Sequence, residues 1–382
     1  MDDNVAVIGV GLGKVGEHWE KSLRDLAIES IWMAFEDSGI DKVDALYVGN
    51  MSSGPFIEQE HLGALIADFA GLGPIPAVKV EAACGSGGAA FIEGYMGVKS
   101  GMYDYVLVTG VEKMTDVLPS RTTSILANAS DRDYEAFHGV SFVALNALVM
   151  RRYMHEFNIK REDLSIFPVI SHKNAPFSKH AMYRKEISLE TVINSPVVAD
   201  PLTLMDCAPI CDGSASVILC SEKKAREFTD TPIIVSGVGL ATDTLGVHDR
   251  KHMTTLSAAV AASKKAFKMA GVTPKDIDIA EIHDAFSIMS ALSIEDMGFA
   301  KKGEGTKMAL EGQHYIGGEL PINLYGGLKA RGHPVGATGV YQIGELVSSL
   351  RGDGRVDAER GLAENIGGSG ATISVSVLER GD

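Results

Sequence analysis

The chain has 382 residues, of which 45% are hydrophobic and 22% charged, and its formal net charge is −15. This size allows a large core or two medium domains. The negative charge argues against nucleic acid or an anionic membrane as a partner, because both need clustered cations. No apolar run is long enough to span a membrane and the N-terminus lacks a signal-peptide pattern, so we expect a cytoplasmic protein. Its four cysteines predict free thiols and no disulfide framework.

The first predicted strand, at 5–12, runs into GVGLGKVG (9–16), whose glycine spacing is that of a dinucleotide-binding turn. A second strand at 233–240 repeats the letters GVGL. Each copy is followed by an amphipathic helix that ends at a glycine, Gly39 or Gly271, and then by an acidic turn and another strand. A glycine motif that occurs in both halves predicts a structural turn, not a cofactor site.

The repeat predicts two related α/β halves, residues 1–228 and 229–382, built on a mixed sheet that helices cover. The first half carries an insertion, a loop domain at about 112–200. It contains a predicted helix at 134–157 and a polar stretch at 171–186. We expect this insertion to cover a site.

The predicted strand at 78–82 runs directly towards Cys84, and the small residues 85–90 then open a helix. This order places the thiol at a tight turn beside a helix N-terminus, where the helix dipole lowers the pKa of a thiol. Cys84 is therefore a candidate nucleophile. The alternative is a buried structural cysteine on a glycine-rich turn.

A nucleophilic thiol needs a base, and two histidines stand out. His333 lies on a Gly/Pro-rich loop before a predicted helix, the counterpart of the Cys84 turn in the second half. His283 follows the strand IDIAEI, at a strand end where α/β proteins usually contact ligands. The alternatives are a solvated loop residue or cap for His333 and a hydrogen-bonded core residue for His283. No third ligand lies near His283 and Asp284, so no metal site is predicted.

A glycine turn near the C-terminus, at Gly367 and Gly368, would expose backbone N–H groups that can hold an oxyanion. The alternative is a plain turn before the last strand. The remaining cysteines, at 207, 211 and 220, have no histidine nearby, and their spacing does not predict a zinc site.

Four motifs together resemble the thiolase superfamily over nearly the whole chain. They are AACGSGG around Cys84, HDAF at 283–286, GHPVGATG at 332–339 and NIGGSG at 365–370. HDAF is similar to the sterol-carrier-protein-type and archaeal acetyl-CoA acetyltransferase branch. The resemblance implies a five-layered αβαβα fold made of two pseudo-symmetric halves.

The resemblance also implies roles. Cys84 would attack an acyl thioester and carry the acyl group, and His333 would deprotonate it. His283, with a water or with His333, would stabilise the enolate. The N–H groups of Cys84 and Gly367 would form the oxyanion hole. The pantetheine tunnel would be bordered by Ala285, Phe286, Cys207 and Ala208.

One departure from the family concerns the acid/base. Many thiolases carry a second cysteine in a Cys-x-Gly-Gly loop, and here that position is Asn365. Some relatives place it at the third position of HD-x-F, which here is Ala285. Either a histidine transfers the proton or the reaction differs. The set Cys84, His283 and His333 is also similar to that of decarboxylating ketoacyl synthases.

The implied function is an acetyl-CoA C-acetyltransferase, which condenses two acetyl-CoA to acetoacetyl-CoA and CoA, or the reverse, at the first step of mevalonate synthesis. The alternatives are a longer-chain or sterol-type thiolase, a decarboxylating condensing enzyme, a side-chain aldolase, or a non-catalytic acyl-CoA-binding scaffold. Coenzyme A thioesters are expected as substrates, with no tightly bound cofactor. Candidates to bind the CoA phosphates are Lys173, Lys179, Arg184 and Lys185.

The resemblance implies protein partners as well. The family forms homodimers and dimers of dimers, and a dimer is the minimal expectation. Archaeal relatives suggest a complex with hydroxymethylglutaryl-CoA synthase and a zinc-ribbon/OB-fold bridging protein.

Overall fold

The structure, a computed structural model, describes residues 3–381. Its strands are β1 (Val5–Leu12), β2 (Ala45–Gly49), β3 (Ala77–Val80), β4 (Tyr105–Glu112), β5 (Val197–Ala199), β6 (Leu202–Thr203), β7 (Gly213–Ser221), β8 (Ile233–Thr242), β9 (Ile279–Glu281), β10 (Arg360–Gly367) and β11 (Thr372–Arg380). Its α-helices are α1 (Leu23–Ser38), α2 (Ser53–Ile57), α3 (Leu62–Phe69), α4 (Ser86–Lys99), α5 (Pro119–Leu126), α6 (Phe142–Phe157), α7 (Arg161–Leu164), α8 (Ile166–Asn174), α9 (Leu189–Ile193), α10 (Glu222–Ala225), α11 (Ser257–Ala270), α12 (Ser287–Asp296), α13 (Gly305–Leu310) and α14 (Thr338–Leu350).

Nine of the strands form one mixed sheet in the order β3-β2-β4-β7-β1-β8-β11-β10-β9. The two repeated strands, β1 and β8, lie side by side and join the halves through a short antiparallel pairing of Val5 with Val235 and Val7 with Ile233. In the first half β2 runs parallel to both β3 and β4. In the second half β9 runs parallel to β10.

Helices form the other layers. In the middle, α4 and α14 pack against each other and against strands of both halves. Helices α1 and α3 cover the outer side of the first half. Helix α11 covers the outer side of the second half, and α12 packs against α11. The two halves of the single sheet supply the two β layers, and α4 with α14 forms the layer between them. The predicted αβαβα arrangement is therefore confirmed. Glycines permit the close central contact, since a Cβ on Gly339 would lie 2.2 Å from Gly88 N.

The repeated GVGL turn has a packing role in both halves. A Cβ on Gly11 would lie 1.9 Å from Ser30 O in α1, and a Cβ on Gly239 would lie 2.0 Å from Ala262 O in α11. Each glycine thus lets the following helix lie directly on its strand. No helix opens at Gly16, since α1 begins only at Leu23. This confirms the structural interpretation over the dinucleotide one.

The insertion between β4 and β7 contains α5 to α9 and the two-stranded β5–β6 ladder. The predicted helix at 134–157 is wrong at its start, because α6 begins at Phe142. Gly139 has a left-handed φ of 82°, which interrupts a helix, and Ser141 caps α6 by accepting from the N–H of Ala144 at 3.2 Å. Within residues 3–381, none of the helices has the length and apolar content to cross a bilayer.

We predict that Gly11→Ala lowers the free energy of unfolding by about 3 kcal/mol or more, since its methyl group has no space against α1. The matched control is Gly16→Ala in the same motif, where the nearest atom to the new Cβ would be His18 Nε2 at 3.7 Å. Urea titration of both variants measures this. Equal stability of the two variants would contradict the packing role.

Candidate active site

Cys84, His283 and His333 line one cavity of about 440 Å³. They come from three separate turns: the one between β3 and α4, the one between β9 and α12, and the one that precedes α14. The remaining wall is mostly apolar. It includes all four residues predicted for the substrate tunnel, namely Cys207, Ala208, Ala285 and Phe286. Cys207 and Phe286 form a backbone bridge, and Ala208 N donates to Ala285 O at 2.9 Å.

A tight backbone turn presents Cys84 to the cavity. Ala83, just before it, has a φ of 52°, which non-glycine residues adopt rarely. Ser86 holds this turn, because its Oγ accepts from Ala82 N at 2.9 Å and donates to Ala83 O at 2.6 Å. Strained backbone of this kind clusters at functional sites, where the surrounding structure maintains it.

The Cys84 thiol is protonated in this environment. Burial, and then the negative charge of Glu112, raise its pKa to about 12. The backbone N–H groups of Cys84 and Gly368 act in the opposite direction. The predicted lowering of this pKa by the α4 dipole is therefore wrong, because desolvation outweighs it. The thiol needs a base to become a nucleophile.

The glycine turn after β10 reaches the Cys84 turn. A Cβ on Gly367 would lie 2.2 Å from Ala82 O, so no side chain fits where the two turns meet. The N–H of Gly368, the next residue in this turn, lowers the pKa of the Cys84 thiol. The Gly367 amide stays the predicted second oxyanion donor, for the carbonyl oxygen of the thioester.

His333 is held as the tautomer with a proton on Nδ1. Its Nδ1 lies 2.7 Å from Thr338 Oγ1, and that hydroxyl donates to Pro334 O at 3.2 Å. The hydroxyl therefore accepts from Nδ1–H, which leaves a lone pair on Nε2. Burial, and then the positive charges of Arg331 and Lys329, lower the pKa of His333 to about 3. The ring is neutral and can accept a proton at Nε2.

His283 carries the opposite tautomer. Its Nδ1 accepts from the N–H of Ile366 at 3.2 Å and lies 3.2 Å from the amide nitrogen of Asn365. Two donors at Nδ1 place the ring proton on Nε2. Burial and the neighbouring His333 keep its pKa well below the usual range. The two rings stand perpendicular, with centroids 5.0 Å apart.

Asn365 occupies the position where many thiolases have a second cysteine. Its Oδ1 accepts from the N–H of Gly88 at 3.0 Å, and its Nδ2 donates to Cys84 O at 3.2 Å as well as to His283. A neutral side-chain amide is neither a general acid nor a general base at neutral pH. Asn365 therefore orients the turns around it through these hydrogen bonds.

Sequence reasoning missed Thr338 and Glu112. The Glu112 carboxylate, at the end of β4, accepts backbone N–H groups from Met51 at 2.9 Å, Ser52 at 3.1 Å and Gly336 at 3.0 Å. Burial raises its pKa to about 7. Thr338 had a local signal, since it follows His333 by five positions in GHPVGATG. Glu112 had none, because its partners are at least 60 residues away in the chain.

A second cavity, of about 550 Å³, shares a wall with the first through Leu204 and 207–209. Its wall holds Arg184, Lys185 and Lys329, and among the described residues it contains no carboxylate. Of the four cations predicted to bind CoA phosphates, Arg184 and Lys185 line this cavity, whereas Lys173 and Lys179 do not.

Comparison with known proteins agrees with this geometry. Residues 5–223 match the family model "Thiolase, N-terminal domain", and residues 239–380 match "Thiolase C-terminal domain-like". The chain is 50% identical over 383 residues to the acetyl-CoA acetyltransferase of Methanothermobacter thermautotrophicus, covering 99% of this chain and 100% of the relative. It is 44% identical to the acetyl-CoA acetyltransferase of Methanocaldococcus jannaschii, covering 98% of each.

A solved structure shares the fold. An Ltp2-ChsH2(DUF35) aldolase superposes with a TM-score of 0.87 at 23% identity, covering 99% of this chain and 98% of that one. At this identity the likeness concerns the fold alone. The family models and the two acetyltransferases cover most of the sequence, and on these grounds the chain belongs to the thiolase family.

Proposed function

We propose that this protein is an acetyl-CoA C-acetyltransferase, which joins two acetyl-CoA into acetoacetyl-CoA and CoA or runs the reverse thiolysis. The observation that carries the proposal is the shared cavity of Cys84 with two neutral histidines of opposite tautomer. Two relatives named acetyl-CoA acetyltransferase support the choice of acetyl-CoA as substrate.

The first half-reaction loads the acyl group. Nε2 of His333 takes the proton of the Cys84 thiol, and the thiolate attacks the thioester carbonyl carbon of acetyl-CoA. The backbone N–H groups of Cys84 and Gly367 hold the oxyanion that develops on the carbonyl oxygen. The C–S bond to CoA then breaks. The CoA sulfur leaves with the proton from His333, and acetyl-Cys84 remains.

The second half-reaction forms the carbon–carbon bond. The thioester oxygen of a second acetyl-CoA accepts a hydrogen bond from Nε2–H of His283, and Nε2 of His333 removes a proton from the α-carbon. The resulting enolate attacks the carbonyl carbon of acetyl-Cys84. The C–S bond to Cys84 breaks, and its sulfur regains the proton from His333. This assignment needs no second cysteine, because one neutral base and one neutral donor serve both steps.

The second cavity supports the proposal that the phosphorylated end of CoA binds there. It is continuous with the catalytic wall at 207–209, and its charged groups, Arg184, Lys185 and Lys329, are all cations. Diphosphate binds to such groups through charge-assisted hydrogen bonds.

Four features stay predictions from sequence. They are the homo-oligomer, the complex with hydroxymethylglutaryl-CoA synthase and its bridging protein, the cytoplasmic location, and the boundary between the halves at residue 228.

Acetyl transfer to Cys84 is the direct test. We predict that the protein, mixed with acetyl-CoA and quenched in acid, gains one acetyl group by intact mass, and that Cys84→Ala gains none. The matched control is Cys207→Ala, which removes another thiol from the same cavity wall and should keep the adduct. An adduct that persists in Cys84→Ala would show that Cys84 is not the nucleophile.

The tautomer of His333 gives a second prediction. Thr338→Val keeps the side-chain shape but removes the acceptor for Nδ1–H, so the ring loses its orientation. We expect kcat to fall by about 10- to 100-fold with little change in KM, which is less than the contribution of a general base, about 10²- to 10⁴-fold, because His333 itself remains. Steady-state kinetics measures both constants. Thr338→Ser restores the hydroxyl and should recover most of the activity, and failure of this recovery would rule out the hydrogen bond as the cause.

A further inference from the structure

The glycine turn that carries the Gly367 amide is held by two polar side chains on the side that faces away from Cys84. Arg250, on the loop between β8 and α11, donates from Nη2 to the carbonyl of Ser369. Asn146, on α6, lies with Nδ2 3.5 Å from Ser369 Oγ. The turn links β10 to β11, so these contacts set the position of the amide relative to Cys84.

Arg250 is an unusual residue for this position. Its side chain is buried, with 9% exposed, and it forms no ion pair within residues 3–381. Its Nε and Nη1 groups find no hydrogen-bond partner. Burial lowers the pKa of the guanidinium, and only the more distant charges of Asp243, Glu135 and Asp296 oppose this. A buried cation without a counter-ion is unfavourable for stability, which points to a role in function.

The turn has little space around its glycines. Gly370 has a φ of 109°, and a Cβ there would lie 2.6 Å from Leu256 Cδ2 and 3.2 Å from Arg250 Nη2. Gly368 has a φ of 64°, and a Cβ there would lie 3.0 Å from Ala129 O. Both conformations favour glycine. The turn therefore has a backbone conformation that favours glycine at both positions, and Arg250 binds the carbonyl of Ser369 between them.

We propose that Arg250 is a positioning residue for acyl transfer. By holding the Ser369 carbonyl, it fixes the Gly367–Gly368 turn against the Cys84 turn, where a Cβ on Gly367 would lie 2.2 Å from Ala82 O. The Gly367 N–H thereby stays directed at the carbonyl oxygen on which the oxyanion of the thioester forms. Arg250 touches no reacting atom. The proposal rests on the proposed acyl-transfer function and adds a residue that neither the resemblance nor the relatives' names assign.

The test is the rate of Cys84 acetylation in a single turnover, followed by quenched intact mass over a range of acetyl-CoA concentrations. Rates are normalised to the fraction of chains that iodoacetamide labels at Cys84. Arg250→Met should acetylate about 10- to 100-fold more slowly at saturation, because a displaced oxyanion donor loses most of its effect. The half-saturating concentration should change by less than about threefold. Arg250→Lys keeps one donor and should recover part of the rate.

The matched control is Arg355→Met. Arg355 also donates to a backbone carbonyl, that of Leu324, and its side chain is 13% exposed, but it lies away from the glycine turn. Wild-type rates in Arg250→Met, an equal loss in Arg355→Met, or a change in half-saturation alone would overturn the proposal. If Arg250→Met does not fold, an unchanged rate in Arg250→Lys overturns it. A wild-type protein that never acetylates would instead refute the proposed function.

Discussion

One side-chain amide links the two halves of the molecule at the reaction centre. Asn365, from the second half, accepts from Gly88 in the first turn of α4, and it donates to the carbonyl of Cys84 and to Nδ1 of His283. These bonds fix the thiol turn and the histidine relative to each other. They also decide the tautomer of His283, because a ring nitrogen that faces an amide donor cannot carry a proton.

The chemistry of the site follows from the absence of charge in its cavity. Burial keeps the Cys84 thiol protonated and both histidines neutral. Behind His333, the Arg331 guanidinium pairs with the buried Glu345 carboxylate at 2.8 Å, and its positive charge further disfavours an imidazolium. Hydrogen bonds inside such a dry site are stronger than in water. In the proposed mechanism, the proton that moves from the thiol to Nε2 of His333 leaves a thiolate beside the backbone N–H groups of Cys84 and Gly368, which lower the pKa of the thiol.

Much of this arrangement could be predicted from local patterns. Glycines and strand ends marked the turns of Cys84, His283 and His333, and the repeated GVGL predicted the two halves. Three features could not be predicted because they depend on burial or on distant contacts. The raised pKa of Cys84 is a desolvation effect, the Asn365–Gly88 bond spans 277 residues, and the effect of the Gly368 N–H on the thiol depends on how two turns meet. The early start predicted for α6 overlooked Gly139, whose left-handed φ ends any helical run.

The most direct test of this account is neutron diffraction from crystals of the unliganded protein at neutral pD, because it locates the exchanged deuterons on both imidazoles. We expect a deuteron on Nδ1 of His333, a deuteron on Nε2 of His283, and none on the other nitrogen of either ring. A doubly protonated ring, or the same tautomer on both histidines, would contradict the assignment of one neutral base and one neutral donor.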